Sequence, residues 1–172
     1  MNYIIRWLIF EQKHDHMKTN NIGLDKKRAD QTAQKLNRLL ANYQQLYQNL
    51  RGFHWNIRGE KFFELHLKFE ELYNDVNLKI DEIAERILAL DARPFHTFSA
   101  YQKNSTIKEV SDLTGGTKIL KVLVADYKKL ILLERDILKL AAKSGDEGTN
   151  SLLTDYIVQH EKTIWMLNAV LG

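Results

Sequence analysis

Residues 53–86 read FHWNIRGEKFFELHLKFEELYNDVNLKIDEIAER, and the apolar positions on either side of Gly59 follow two separate helical stripes. Upstream, Leu36, Leu39, Leu40, Tyr43, Leu46, Tyr47 and Leu50 recur at the three-and-four spacing of one helix face. Downstream, Phe62, Phe63, Leu65, Phe69, Leu72, Tyr73, Val76, Ile80, Ile83 and Ile87 do the same. The spacing predicts a first helix from near Asp25 to Ile57, stopped at "RGE", where Gly59 suits a left-handed turn. A second helix starts at once and ends before Pro94, whose ring disfavours helix at Arg93. The stretch is therefore a tight helical hairpin.

Residues 91–115 lack a long helical pattern. Within them "STIKEVSDL" (105–113) is expected to form a short helix, because Thr106 and Glu109 have capping-box spacing. Gly115 and Gly116 close the connection. A third helix carries Ile119, Leu120, Leu123, Tyr127, Leu130, Ile131, Glu134 and Leu138, and stops at "KSGDEG" (143–148). A fourth holds Leu152, Leu153, Tyr156, Ile157, Ile164, Leu167 and Val170. Short, long, short connections favour an all-α four-helix bundle with one crossover between helices two and three, as in ferritin-like folds, over an up-down-up-down bundle with a floppy loop.

Composition agrees. The 172 residues suit one domain with a real core, and a single proline among many Leu, Lys, Glu and Ala favours long helices. There are no cysteines, which excludes disulfides and thiolate metal sites and fits a reducing compartment. A formal charge of +3 sets up no general field for nucleic acid. The basic residues Lys18, Lys26, Lys27 and Arg28 nevertheless cluster near the start, as a DNA-contacting arm or as a solvated helix start. Residues 1–16 read differently from the rest: Tyr3–Phe10 is apolar, broken by Arg6, too short to span a bilayer and followed by no cleavage site. Neither a signal peptide nor a membrane anchor is expected. Met17 opens "MKTNNIGLD", so residues 1–16 are expected to be an upstream mis-start or a dispensable extension, and 17–172 the domain.

The hairpin also carries the candidate chemistry. His54 lies six residues before Glu60 and His66 six after it, so the two imidazoles sit level across an antiparallel helix pair. On the second helix, relative to His66, Glu70 falls at roughly 40°, Asp81 at roughly 60° and Glu85 at roughly 100°. The four share one side, yet Glu70 and Asp81 are separated by about 16 Å along the axis. One ion cannot touch both pairs within one chain. Two copies packed antiparallel, with the two-fold axis near Asp75–Val76, would join His54, His66 and Glu70 of one to Asp81 and Glu85 of the other. The residues alone permit this arrangement without requiring it, since histidines on helices are commonly packed core residues and i,i+4 acids commonly a solvated face. A sulfur-free set of imidazoles and carboxylates suits divalent iron, zinc or manganese. Its unfilled coordination favours redox chemistry on iron over a closed structural site.

"HWNIRG" (54–59), "FFELHLKFEELY" (62–73) and "DEIAERI" (81–87) closely resemble the Dps family, the mini-ferritins of bacteria and archaea, and "HEKTIWMLNAVLG" (160–172) resembles its C-terminal end. The resemblance runs from about Met17 to Gly172. It implies ferroxidase ligands at His54, His66, Glu70, Asp81 and Glu85 on a two-fold interface. Many relatives carry Asp where this chain has Glu70. Trp55 corresponds to a tryptophan beside the metal site, or simply fills the interface. The resemblance further implies a hollow dodecamer, cytoplasmic and nucleoid-associated if it binds DNA. That shell would oxidise Fe(II), preferably with hydrogen peroxide and otherwise with O2, and store ferric mineral against oxidative stress. Asp146, Glu147 and Asp155 would line a three-fold iron-entry pore, or else serve as loop and helix-start acids. DNA compaction through the basic arm is the alternative function. Classical ferritins use Glu-x-x-His motifs inside one bundle, and the only such spacing here is Glu11–His14.

Overall fold

Asp25 opens the first long helix by accepting a hydrogen bond from the Arg28 amide at 2.9 Å, so one orphan N–H of the first turn is satisfied. The computed structural model describes residues 19–172, and among them five α-helices follow one another: α1 Lys26–Asn56, α2 Phe62–Ala89, α3 Phe98–Asn104, α4 Gly116–Ser144 and α5 Glu147–Leu171. Gly59, at φ 111°, makes the turn between α1 and α2 that a side chain would strain. Gly145, at φ 66°, ends α4 in the left-handed region, and Asp146 N–H then bonds back to the Ala141 carbonyl. The four long helices are those the periodicity predicts. The expectation about residues 1–16 lies outside the described residues.

α1 packs along α2, α4 along α5, and α1 against α4 joins the two pairs. The stripe residues Leu36, Leu39, Tyr43, Leu46, Leu50, Phe69, Val76, Ile83 and Ile87 are all fully buried, each worth roughly 1.5–3 kcal/mol of transfer free energy for a large apolar side chain. Phe63 is not among them: it is 76% exposed, so its place in the apolar pattern does not make it core. Among the described residues no helix is long and apolar enough to cross a membrane.

The crossover does contain a short helix, but at 98–104 and not at 105–113. Thr97 caps it through Oγ1, which accepts from the Ala100 amide at 3.3 Å. The expected capping box is dismantled by a tertiary contact. Buried Asn42 of α1 presents Oδ1 to Thr106 N at 3.0 Å, Ile107 N at 3.0 Å and Thr106 Oγ1 at 2.9 Å, holding that stretch extended. Asn37 and Asn49 act likewise, the first on Arg93 O and Phe95 N, the second on Lys108 O and Val110 N. Three asparagines of one helix thus supply hydrogen bonds that a local helix would have supplied itself.

Candidate metal centre

His54 sits in the last turn of α1 and His66 in the second turn of α2. Their rings stack with centroids 3.8 Å apart and planes 21° from parallel. Each Nδ1 lies against the other residue's backbone carbonyl, His54 Nδ1 to His66 O at 2.8 Å and His66 Nδ1 to His54 O at 2.9 Å. A carbonyl only accepts, so both Nδ1 atoms carry the proton, and the neutral form of each ring has its lone pair on Nε2. A backbone carbonyl on the far nitrogen is the usual partner of a metal-binding imidazole, because it fixes tautomer and ring orientation. Phe62 stacks on His66 at 5.1 Å, and Tyr73 meets His54 edge-on at 5.5 Å. The imidazole pair is held between two aromatic rings.

Half-buried Glu70 lies one turn beyond His66, and the Tyr73 hydroxyl donates to its Oε1 at 3.4 Å. Desolvation first, and the neighbouring Glu70 carboxylate second, push the Tyr73 phenol above its ordinary value. Asp81 and Glu85 are exposed further along α2. The structure therefore brings His54, His66 and Glu70 to one end of the hairpin and leaves Asp81 and Glu85 apart from them. Among the described residues no group of three or more His, Asp or Glu side chains closes on one point within a single chain.

Exposed apolar side chains share this side of α2 with the exposed Asn74 and Asn77. Phe63, Leu67, Leu78 and Leu88 are 57–76% exposed. Relative to His66 they fall at roughly 60°, 100°, 120° and 40° around α2, on the side of Asp81 and Glu85. Four large apolar side chains on one solvent-facing helix side mark a contact surface.

Trp55 is exposed beside His54, its ring covered by the Arg51 guanidinium at 4.7 Å. The pore expectation needs one correction: Asp146 is buried as the N-cap of α5, accepting from Thr149 N at 2.9 Å and Thr149 Oγ1 at 2.6 Å and pairing with Arg86 at 2.5 Å. With both oxygens engaged it takes the helix-start role, whereas Glu147 and Asp155 are exposed. Of the basic residues near the start, Lys26, Lys27 and Arg28 belong to the first turn of α1; Lys26 pairs with Asp30, Arg28 donates to the Lys143 carbonyl, and Lys27 is exposed. Lys18 lies outside the described residues.

A ferritin-like domain model matches residues 33–172. The fold superposes on the Dps protein of Vibrio cholerae O1, described as a member of a broad superfamily of ferritin-like diiron-carboxylate proteins, with a TM-score of 0.89 and 55% identity over 91% of this chain and 98% of that one. The DNA protection during starvation protein of Porphyromonas gingivalis is 42% identical over 147 residues, 86% of this chain and 92% of its own. The chain belongs to the Dps family. Similarity extends to the Dps protein of Bacillus brevis, with a TM-score of 0.83 and 35% identity over 85% of this chain and 98% of that one.

This Dps chain also holds a buried polar ring that sequence reasoning missed. Tyr43 Oη donates to Glu134 Oε1 at 2.7 Å, Glu134 Oε2 meets His160 Nδ1 at 3.2 Å, and His160 Nε2 returns to Tyr43 Oη at 3.3 Å. Glu134 and His160 are 0% and 1% exposed. Burial pushes the Tyr43 phenol well up, and the Glu134 carboxylate pushes it further. The signal was present: Glu134 occupies a core position in the third helix's apolar stripe, and His160 continues the Leu153–Tyr156 stripe at i+4.

Proposed function

We propose that this Dps protein is a ferroxidase, taking Fe(II) as substrate at two identical sites on a two-fold dimer. His54, His66 and Glu70 of one copy would face Asp81 and Glu85 of the other. The observation that carries this reading is the reciprocal Nδ1-to-carbonyl bonding of His54 and His66, which leaves both Nε2 atoms uncommitted at one end of a helix side that exposes Phe63, Leu67, Leu78 and Leu88. The donor set fits the ion: imidazoles bind ferrous iron, and carboxylates stabilise the ferric product. With hydrogen peroxide as the preferred oxidant, two Fe(II) give one electron each to the O–O bond. That bond breaks with uptake of two protons to leave two waters, and no hydroxyl radical is released.

Family membership supports a hollow dodecamer storing the ferric product, with exposed Glu147 and Asp155 as candidate entry-pore acids. Protection of DNA then follows from removal of iron and peroxide. Direct compaction through the basic residues is weakened by the internal partners of Lys26 and Arg28. Absence of any gel retardation at low salt would exclude it.

The decisive experiment mixes two inactive halves. A His54→Ala/His66→Ala chain and an Asp81→Ala/Glu85→Ala chain should each fail to oxidise anaerobically loaded Fe(II) on adding peroxide. Co-expressed, half of the randomly formed dimers contain one whole site, restoring about a quarter of the wild-type rate. Full activity of either variant alone overturns the shared site.

A further inference from the structure

The imidazole pair belongs to a longer aromatic column running Phe62, His66, His54, Tyr73, Tyr47, with successive centroids at 5.1, 3.8, 5.5 and 6.2 Å. Of the three other rings in this column, only Tyr73 directs a polar atom at a carboxylate of the site. Its own ring is fixed edge-on by His54 and by Tyr47, both on α1, at 82° and 81°. The hydroxyl is therefore placed by α1, while the acid it reaches, Glu70, stands three residues away on α2.

We infer that Tyr73 is a positioning residue of the ferroxidase half-site, whose hydroxyl binds Glu70 Oε1 and so orients the carboxylate for the incoming Fe(II). The inference rests on the ferroxidase reading above. Glutamate has one more rotatable bond than aspartate, and an unheld Glu70 would sample positions away from the two Nε2 donors. Tyr73 removes that freedom by tying the α2 carboxylate to the aromatic column that orients the α1 imidazole. Such outer contacts to metal-binding side chains commonly contribute ten- to a hundred-fold in affinity.

The test uses the assembled protein and equilibrium binding of Co(II), which does not turn over. Tyr73→Phe keeps the ring and deletes only the hydroxyl. It should weaken Co(II) binding roughly ten-fold and raise the KM for Fe(II) more than it lowers kcat, with unchanged helicity and assembly. In a Glu70→Asp background the shorter acid no longer reaches Tyr73, and the same substitution should cost nothing further. Wild-type Co(II) affinity in Tyr73→Phe, or an undiminished loss in the Glu70→Asp background, overturns the role of the hydroxyl while leaving the shared site standing. A wild-type protein that neither binds Co(II) nor oxidises Fe(II) overturns the site and this inference together.

Discussion

The edge of the α1–α2 hairpin and the centre of the bundle both combine histidine with carboxylate, and they do so in opposite ways. At the edge, His54 and His66 satisfy their Nδ1 protons on each other's carbonyls and leave Nε2 uncommitted on half-buried rings. At the centre, both nitrogens of His160 and both oxygens of Glu134 are used within a closed ring with Tyr43. The same residue types therefore give an incomplete site in one place and a completed network in the other. What distinguishes them is a free lone pair with access from outside, a property that composition does not carry.

The largest expected effect separates the two regions by function. His66→Ala should slow peroxide-dependent Fe(II) oxidation by on the order of a hundred-fold, while shifting the melting temperature by only a few degrees. A wild-type rate in that variant would show that the edge histidines are as inert as His160. Glu134→Ala should do the reverse. It leaves His160 without its charged partner in the core, at a cost of about 3–5 kcal/mol, and lowers the melting temperature by roughly 10 °C. Oxidation per folded protein should stay near wild type, and a selective loss of oxidation at full stability would erase the contrast.

A third way to sharpen the comparison is alkaline titration. Burial raises the phenols of Tyr43, Tyr127 and Tyr156 above their ordinary value of 10.0. Because the folded state then holds these protons when the unfolded state releases them, stability is present below pH about 10 and declines as pH rises through and above it. Phenolate absorbance from these three should appear only together with loss of helicity. Earlier ionisation would mean that the core ring is open to solvent.

The smallest effect concerns Asp126, whose carboxyl burial raises above 3.8, with the Lys129 ammonium at 2.9 Å opposing. A raised folded acid favours folding most at low pH and loses that contribution as pH climbs past the unfolded value. Asp126→Asn should therefore gain about 1 kcal/mol or less at pH 7, with the gain vanishing towards pH 4. Calorimetry at the two pH values reads the difference.

Much of the architecture was legible in the chain because helix stripes repeat every three or four residues and each long helix buries one such stripe. Leu36 to Leu50 and Ile119 to Ile131 illustrate this, with bounds set by Asp25, Gly59 and Gly145. The crossover helix was misplaced because Thr106 and Glu109 have local capping spacing, while the contact that overrides it comes from Asn42, more than sixty positions away. Phe63, Leu67, Leu78 and Leu88 were legible as apolar but not as outward-facing, since a helix carrying two apolar stripes looks alike from either side. Asp146 illustrates the converse: an acid beside a glycine reads as solvent-exposed until Arg86 of another helix covers it.

By itself the sequence determined the four long helices, the hairpin that sets His54 level with His66, and the axial gap that keeps Asp81 and Glu85 from meeting them in one chain. These follow from periodicity, turn chemistry and the rise of a helix, all local quantities. Only the tertiary structure decided which imidazole nitrogens are free, which acids are consumed as caps or core partners, and where the crossover helix forms. Those outcomes depend on hydrogen bonds between residues distant in the chain, and no local pattern encodes which donor reaches an acceptor first.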